Sequence, residues 1–338
     1  MIYETKILKP NEEGINEAAQ LLKSGEVVAI PTETVYGLAA DALNENAVAK
    51  IFKAKGRPQD NPLIVHIANF ESIYDYAKEV PEAALKLSEK FWPGPLTMVL
   101  PKKDIVPKIT SGGLETIGIR LPSNETARKI IRLSGTALAA PSANLSGSPS
   151  PTCAGHVFDD MNGIIPAIVD GGPCDVGVES TVISFENDAV RLLRPGFVSF
   201  EDLKRVSEKV IADEGIFQKL EDGRKALSPG MKYKHYSPKA RVIIVEGNLE
   251  SFISYVSMHD SEKTYSMIFD SDKNLFPFKN LTYGDTSLRQ AHEIFDKLRE
   301  FDKLGAEIVF VRCPQKEGIG LAVYNRLLRA AGFEVITL

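Results

Sequence analysis

Cysteine is scarce in this chain. Its 338 residues include three, Cys153, Cys174 and Cys313, scattered and odd in number. That pattern fits neither a disulfide framework nor a zinc site built from paired ligands, so unpaired thiols in a reducing compartment are expected. Long apolar runs are missing too. No stretch approaches the roughly 18 residues that a membrane span requires, and the N-terminus, MIYETK, has no signal-peptide apolar segment. The expected location is cytoplasmic, with no membrane partner. Excess positive charge is also absent. A formal net charge of -5 disfavours broad, non-specific nucleic-acid binding, which needs a basic surface, but leaves room for a local basic pocket. Finally, the chain has no P-loop signature, no dinucleotide-binding glycine fingerprint, no nucleophile elbow and no zincin motif. The common nucleotide and hydrolase signatures are absent.

What is present is an ordinary globular composition, 43% hydrophobic and 25% charged, in a chain long enough for about two domains. Asn11 caps an expected helix that Gly25 ends, and a strand follows at 27–30. Asn44 caps a second helix with Ala47, Val48, Ile51 and Phe52 as its buried stripe. Further strands are expected at 63–67, 96–100 and 116–121, and further helices at 81–91 and from Ser123 or Asn124 to Leu133. Irregular intervals and hairpin-like spacing after residue 168 indicate a mixed sheet in an α/β layer fold. Beyond residue 240, apolar strands at 242–245, 265–269, 308–311 and 333–338 alternate with helical runs near 249–257, 286–304 and 320–331, the mark of a small, Rossmann-like doubly wound domain. The expected division is a first domain over 1–208, a linker or lid over 209–240 and a second domain over 241–338.

Three polar loops sit beside core strands: 31–37, 139–152 and 170–181. The second, AAPSANLSGSPSPT, combines prolines that stiffen the backbone with short donors and acceptors that suit an anion. Arg57 lies between Gly56 and Pro58, either as a C-terminal helix charge or as a fork of donors for phosphate. His66, in an apolar strand, is a satisfied core residue or a ligand contact. Arg120 ends another strand and needs an anion, or an ion pair, to be buried there. Arg194 repeats that placement. Glu33, Asp170, Asp175 and Glu179 hold a cation or cap turns, and spacing alone leaves both open. Tyr233, His235 and Tyr236, interleaved with Lys232 and Lys234, form either a solvated basic linker or a platform for a base and a phosphate.

Taken together, PTETVYGL at 31–38, Lys55-Gly-Arg57, NPLIVH at 61–66, WPGPLT at 92–97, Ser142-Ala-Asn144, GVEST at 177–181, LRPG at 193–196 and GMKYKHY at 230–236 resemble the YrdC-like family of threonylcarbamoyl-AMP synthases, in its long form with an extra C-terminal domain. The resemblance covers essentially the whole chain. It implies a nucleotidyltransferase that condenses L-threonine, bicarbonate and ATP, with Mg2+, to threonylcarbamoyl-AMP and pyrophosphate for tRNA N6-threonylcarbamoyladenosine formation. It further implies that Thr34, His66, Arg120, Ala140 and Ser180 bind threonine, and that Arg57, Asn61, Thr116, Ser142, Ser150, Arg194 and Tyr233 bind ATP. Lys55, Arg57, Ser142 and Asn144 are the implied catalytic set, with no metal ligand assigned. The implied partners are the small substrates and the tRNA threonylcarbamoylation machinery, direct tRNA contact being open. Two other functions compete: an RNA-binding module, which net acidity disfavours, and a carbamoyl transferase using carbamoyl phosphate, whose relatives carry acylphosphatase and zinc-finger regions that this sequence lacks.

Overall fold

The computed structural model describes residues 3–187, 189–218 and 235–338. Asn11, Asn44 and Asn124 each cap a helix by accepting backbone N–H bonds in its first turn, so the helices Glu12–Lys23, Glu45–Lys55 and Glu125–Ser134 begin where short polar side chains replace missing backbone partners. Gly56 ends the second of these with a left-handed φ of 61°.

The first sheet has eleven strands: β1 Lys6–Leu8, β2 Val28–Ile30, β3 Gly37–Asp41, β4 Ile64–His66, β5 Leu96–Pro101, β6 Thr116–Arg120, β7 Leu138–Ala139, β8 Ala167–Val169, β9 Thr181–Glu186, β10 Ala189–Arg194 and β11 Val210–Ala212. Their spatial order is β1-β8-β2-β3-β7-β4-β6-β5-β9-β10-β11, mixing parallel and antiparallel neighbours. The mixed character matches the irregular spacing of the sequence. β3 and β1 are strands that periodicity did not mark, because each is short and β3 emerges directly from a polar loop. β11 pairs with β10, so the first sheet continues past position 208.

The second sheet is smaller: β12 Arg241–Glu246, β13 Thr264–Ile268, β14 Asn280–Thr282, β15 Ile308–Arg312 and β16 Val335–Thr337, ordered β14-β13-β15-β12-β16. All its pairings are parallel. Continuous apolar runs such as VIIV at 242–245 are what a sheet covered by helices on both faces demands. Helices Leu249–Ser257, Ser287–Lys303 and Gly318–Ala330 supply that cover.

The two units share buried surface. Val35, Val176 and Val178 of the first unit lie in one apolar cluster with Phe295, Tyr324 and Leu327 of the second. Arg299 joins Asp160 through two contacts of 3.0 and 2.7 Å and donates to the Pro149 carbonyl at 2.6 Å. The second unit is therefore packed against the loops that carry the polar motifs.

Candidate active site at the strand ends

β4 and β6 run parallel with His66 opposite Arg120, which puts an imidazole and a guanidinium side by side where both strands end. β2 and β3 are antiparallel, with Gly37 opposite Ile30, and the loop 31–36 between them reaches Arg120 through the side chains of Glu33 and Thr34. Thr32 organises that loop: its Oγ1 accepts from the Thr34 and Val35 N–H groups and donates to the Val35 carbonyl at 2.6 Å. Its single proton is thereby used, so Thr34 Oγ1 donates to Thr32 at 2.9 Å and accepts from Arg120 Nη1 at 3.0 Å.

Arg120 is 4% exposed and meets Glu33 at 2.7 Å as an ion pair. Burial alone raises the Glu33 pKa, yet the charge and hydrogen bonding of Arg120 outweigh it and hold the carboxyl below the usual carboxylate range. Glu33 therefore anchors a guanidinium and is not free to take a metal. His66 Nδ1 lies 3.2 Å from the Ile64 carbonyl. A carbonyl only accepts, so Nδ1 carries the proton and Nε2 presents a lone pair. Burial first, and Arg120 second, push the His66 pKa down to about 3, which keeps the ring neutral at physiological pH.

Arg194, ending β10, donates to the Ser180 carbonyl from Nε at 3.1 Å and from Nη2 at 3.0 Å, and from Nη2 to Ser180 Oγ at 3.1 Å. Ser180 also meets Thr97 Oγ1 at 2.8 Å. Lys55 is buried with Nζ at 2.5 Å from each of the Ser142 and Asn144 carbonyls. Burial, then the neighbouring Arg57, lower its pKa well below the ordinary value. It works as a brace beneath loop 139–152. Asn144 adds to that brace, its Nδ2 donating to the Leu145 and Ser148 carbonyls.

One cavity gathers most of these groups. About 60 Å³ of open space is lined by Thr34, Arg57, His66, Arg120, Ala140, Ser142, Ser180 and Arg194, together with Thr32, Glu179, His235 and Tyr236. Lys55, Asn61, Asn144 and Ser150 are not among the residues that line it. Ser150 reaches it through Glu179, whose Oε1 accepts the Ser150 hydroxyl at 2.5 Å. Asn61 is buried, and its Oδ1 has no protein hydrogen-bond partner among the described residues. Thr116 lies farther off. It shares a face of β6 with Arg120 but sits four residues away, roughly 13 Å along the strand. Gly118 stands between them, and the crevice it leaves open is lined by Pro62, Ile64, Thr97, Thr116 and Val182. Ile64 borders both spaces. Tyr233 falls outside the described residues, as does half of the expected lid. Its end is described: burial, then Arg57 and Lys55, lower the His235 pKa to about 3. Among the described residues, no group of three His, Cys, Asp or Glu side chains converges to hold a metal.

Sequence reasoning missed Thr32, whose only signal was its place beside Thr34, and it left Glu33 and Glu179 open as cation ligands. It missed Arg326 altogether, because nothing local distinguishes an arginine inside an amphipathic helix.

Residues 20–196 match the Sua5/YciO/YrdC family model, described as telomere recombination, and residues 198–332 match the model of the threonylcarbamoyl-AMP synthase C-terminal domain. The chain belongs to the Sua5/YciO/YrdC family. Among members of that family it is similar to a threonylcarbamoyl-AMP synthase of Pyrococcus abyssi, 45% identical over 333 residues, which span 95% of each chain. It is also similar to one from Bacillus subtilis, 43% identical over 98% of this chain and 97% of the other. The structure of P. abyssi Sua5 complexed with L-threonine covers 99% of this chain and 100% of its own, at 43% identity and a TM-score of 0.92. As a Sua5-type chain it has both parts of that architecture, the YrdC-like sheet and the Sua5 C-terminal domain.

Proposed function

We propose that this protein is an L-threonylcarbamoyladenylate synthase: it condenses L-threonine and bicarbonate to a carbamate and transfers the AMP moiety of ATP to it, releasing pyrophosphate. The observation that carries this reading is the convergence of Arg57, Arg120 and Arg194 with a neutral His66 on one enclosed cavity. Three fixed guanidinium groups suit a reaction that brings a carboxylate and a triphosphate together in one site. A bound NAD or a metal-activated hydrolysis requires none of that arrangement.

Arg120, oriented by Glu33 and Thr34, takes the threonine carboxylate, with Ala140 and Ser180 beside the amino acid. The Nε2 lone pair of His66, which lines the cavity, suits the substrate hydroxyl or a proton of its amine. Arg57, Ser142, Ser150 and Arg194 receive the phosphates. Thr116 opens on the small crevice beside Gly118, which Ile64 separates from the main cavity. The carbamate is unstable in water, so the reaction belongs in a closed site where positioning and electrostatics do the catalytic work. With about 60 Å³ open, ATP enters only if the cover formed by His235 and Tyr236 moves, and we assign that segment and Tyr233 to a lid.

The described residues do not fit a protein-built Mg2+ site, because Glu33 is held by Arg120 and Glu179 by Arg326. A magnesium ion would arrive on the triphosphate and would offset the charge of its phosphates. The labile product points to a consumer that attacks its activated carbonyl, which we assign to the tRNA threonylcarbamoylation machinery of the cytoplasm. No described helix is long and apolar enough to cross a membrane. The test is incubation with ATP, bicarbonate and each amino acid, followed by mass spectrometry. Pyrophosphate release that ignores threonine would sink this function.

A further inference from the structure

Glu179 is out of character with its surroundings. It is 7% exposed, lines the cavity that receives the phosphates in the reading above, and carries a negative charge. An acid so placed repels ATP unless cations neutralise it, and Arg194 of the same sheet contributes charge while its guanidinium binds Ser180. The group that pairs with Glu179 directly comes from the other domain. Arg326, in the helix Gly318–Ala330, is 0% exposed and donates from Nε to Glu179 Oε2 at 2.7 Å. Its Nη1 donates to the Pro195 carbonyl at 2.9 Å and to Asn325 Oδ1 at 3.0 Å, and its Nη2 to the Glu179 carbonyl at 3.4 Å. Its guanidinium also lies 5.5 Å from the centre of the Tyr236 ring. Each of these groups borders the nucleotide end: Pro195 follows Arg194, Glu179 holds Ser150, and Tyr236 lines the cavity.

From this convergence we infer that Arg326 is a positioning residue for the nucleotide, by which the C-terminal domain completes the ATP end of the site. It cancels the Glu179 charge, leaves Glu179 Oε1 to orient the Ser150 hydroxyl, and fixes the Pro195 carbonyl and hence the turn after Arg194. Its neighbours serve the same docking: Asn325 Nδ2 donates to the Ile216 carbonyl at 2.8 Å and Arg329 Nη2 to the Gly215 carbonyl at 2.5 Å. The threonine end, around Arg120 and His66, receives no contact from Arg326. The inference rests on the ATP assignment proposed above.

Removing one member of a buried ion pair leaves an uncompensated charge, whereas neutralising both is tolerated far better. Arg326→Met should therefore weaken ATP binding by at least about tenfold, read both as Kd by calorimetry and as KM, while the threonine KM stays within about twofold. Adding Glu179→Gln, which keeps an acceptor for Ser150, should restore ATP affinity to within about threefold of the wild type. Two results overturn the inference: a folded Arg326→Met protein with unchanged ATP affinity, or parallel loss of ATP and threonine affinity that the second substitution does not recover. Should Arg326→Met fail to fold, the double variant carries the test, and its failure to fold or to bind ATP is equally fatal. Because ATP affinity is read by calorimetry on the full chain, a wild type that binds ATP without threonine-dependent turnover would refute the function and leave this inference standing.

Discussion

Glu33→Gln isolates the mechanism by which Arg120 is kept ready. In the wild type, the pair is 4% exposed on both sides and 2.7 Å apart. The substitution removes the negative charge at almost constant volume and leaves the buried Arg120 without a counter-charge, facing a neutral amide and the Thr34 hydroxyl at 3.0 Å. Breaking a buried pair from one side costs about 3–5 kcal/mol. At about 2–4 °C per kcal/mol for units of this size, the melting temperature should fall by about 6 °C or more. L-threonine brings a carboxylate of its own, so it should stabilise the variant by several degrees more than it stabilises the wild type. Thermal unfolding with and without threonine measures both effects. A variant that melts at the wild-type temperature, or two proteins that gain equally from threonine, would refute the claim that Glu33 serves as the resting counter-ion of Arg120.

Other consequences are open to measurement. Arg57→Ala should raise the KM for ATP about tenfold or more and Arg120→Ala that for threonine, each with little effect on the other substrate; kinetics that fail to separate in this way would break the division of the cavity. His66 and His235 stay neutral in the folded protein down to about pH 3 but take up protons near 6.5 when unfolded. The unfolded chain then binds more protons across that window, so stability should fall as pH drops from about 6.5 toward 3, by up to about 1.4 kcal/mol per unit and per histidine. Denaturant melts of His66→Asn at pH 7 and 5 should show a flatter dependence than the wild type. Gly177 has φ of 84°, and an added Cβ would lie 2.5 Å from the Ala291 carbonyl and from His292 Cα. Gly177→Ala should therefore force the two units apart and split one calorimetric transition into two; a single transition at the wild-type temperature would contradict that.

The local grammar of this chain was legible without a structure. Asn caps, the Gly56 stop, the apolar stripe of Ala47, Val48, Ile51 and Phe52 and the VIIV run of the second sheet act through neighbours a few residues away, and each produced the expected element. Strand β3 escaped notice because its burial comes from β2 and β7 and leaves little periodicity over five residues. The motif residues were visible for a related reason: an Arg or His closing an apolar strand is costly enough to stand out alone.

Which of those groups face a ligand was another matter. Lys55, prominent in its motif, turned out to brace the carbonyls of Ser142 and Asn144. Thr116 shares a strand face with Arg120 yet opens on a neighbouring crevice. Glu33 and Glu179, indistinguishable from turn caps or cation ligands by spacing, acquired opposite partners, and Arg326 meets Glu179 across 147 positions of sequence. Sequence by itself determined the elements, the two-part α/β plan and the polar residues that end its strands, because those follow from short-range sterics, capping and burial pattern. Only the tertiary structure decided which charges pair with one another, since electrostatics in a buried site depends on distances that chain order does not encode.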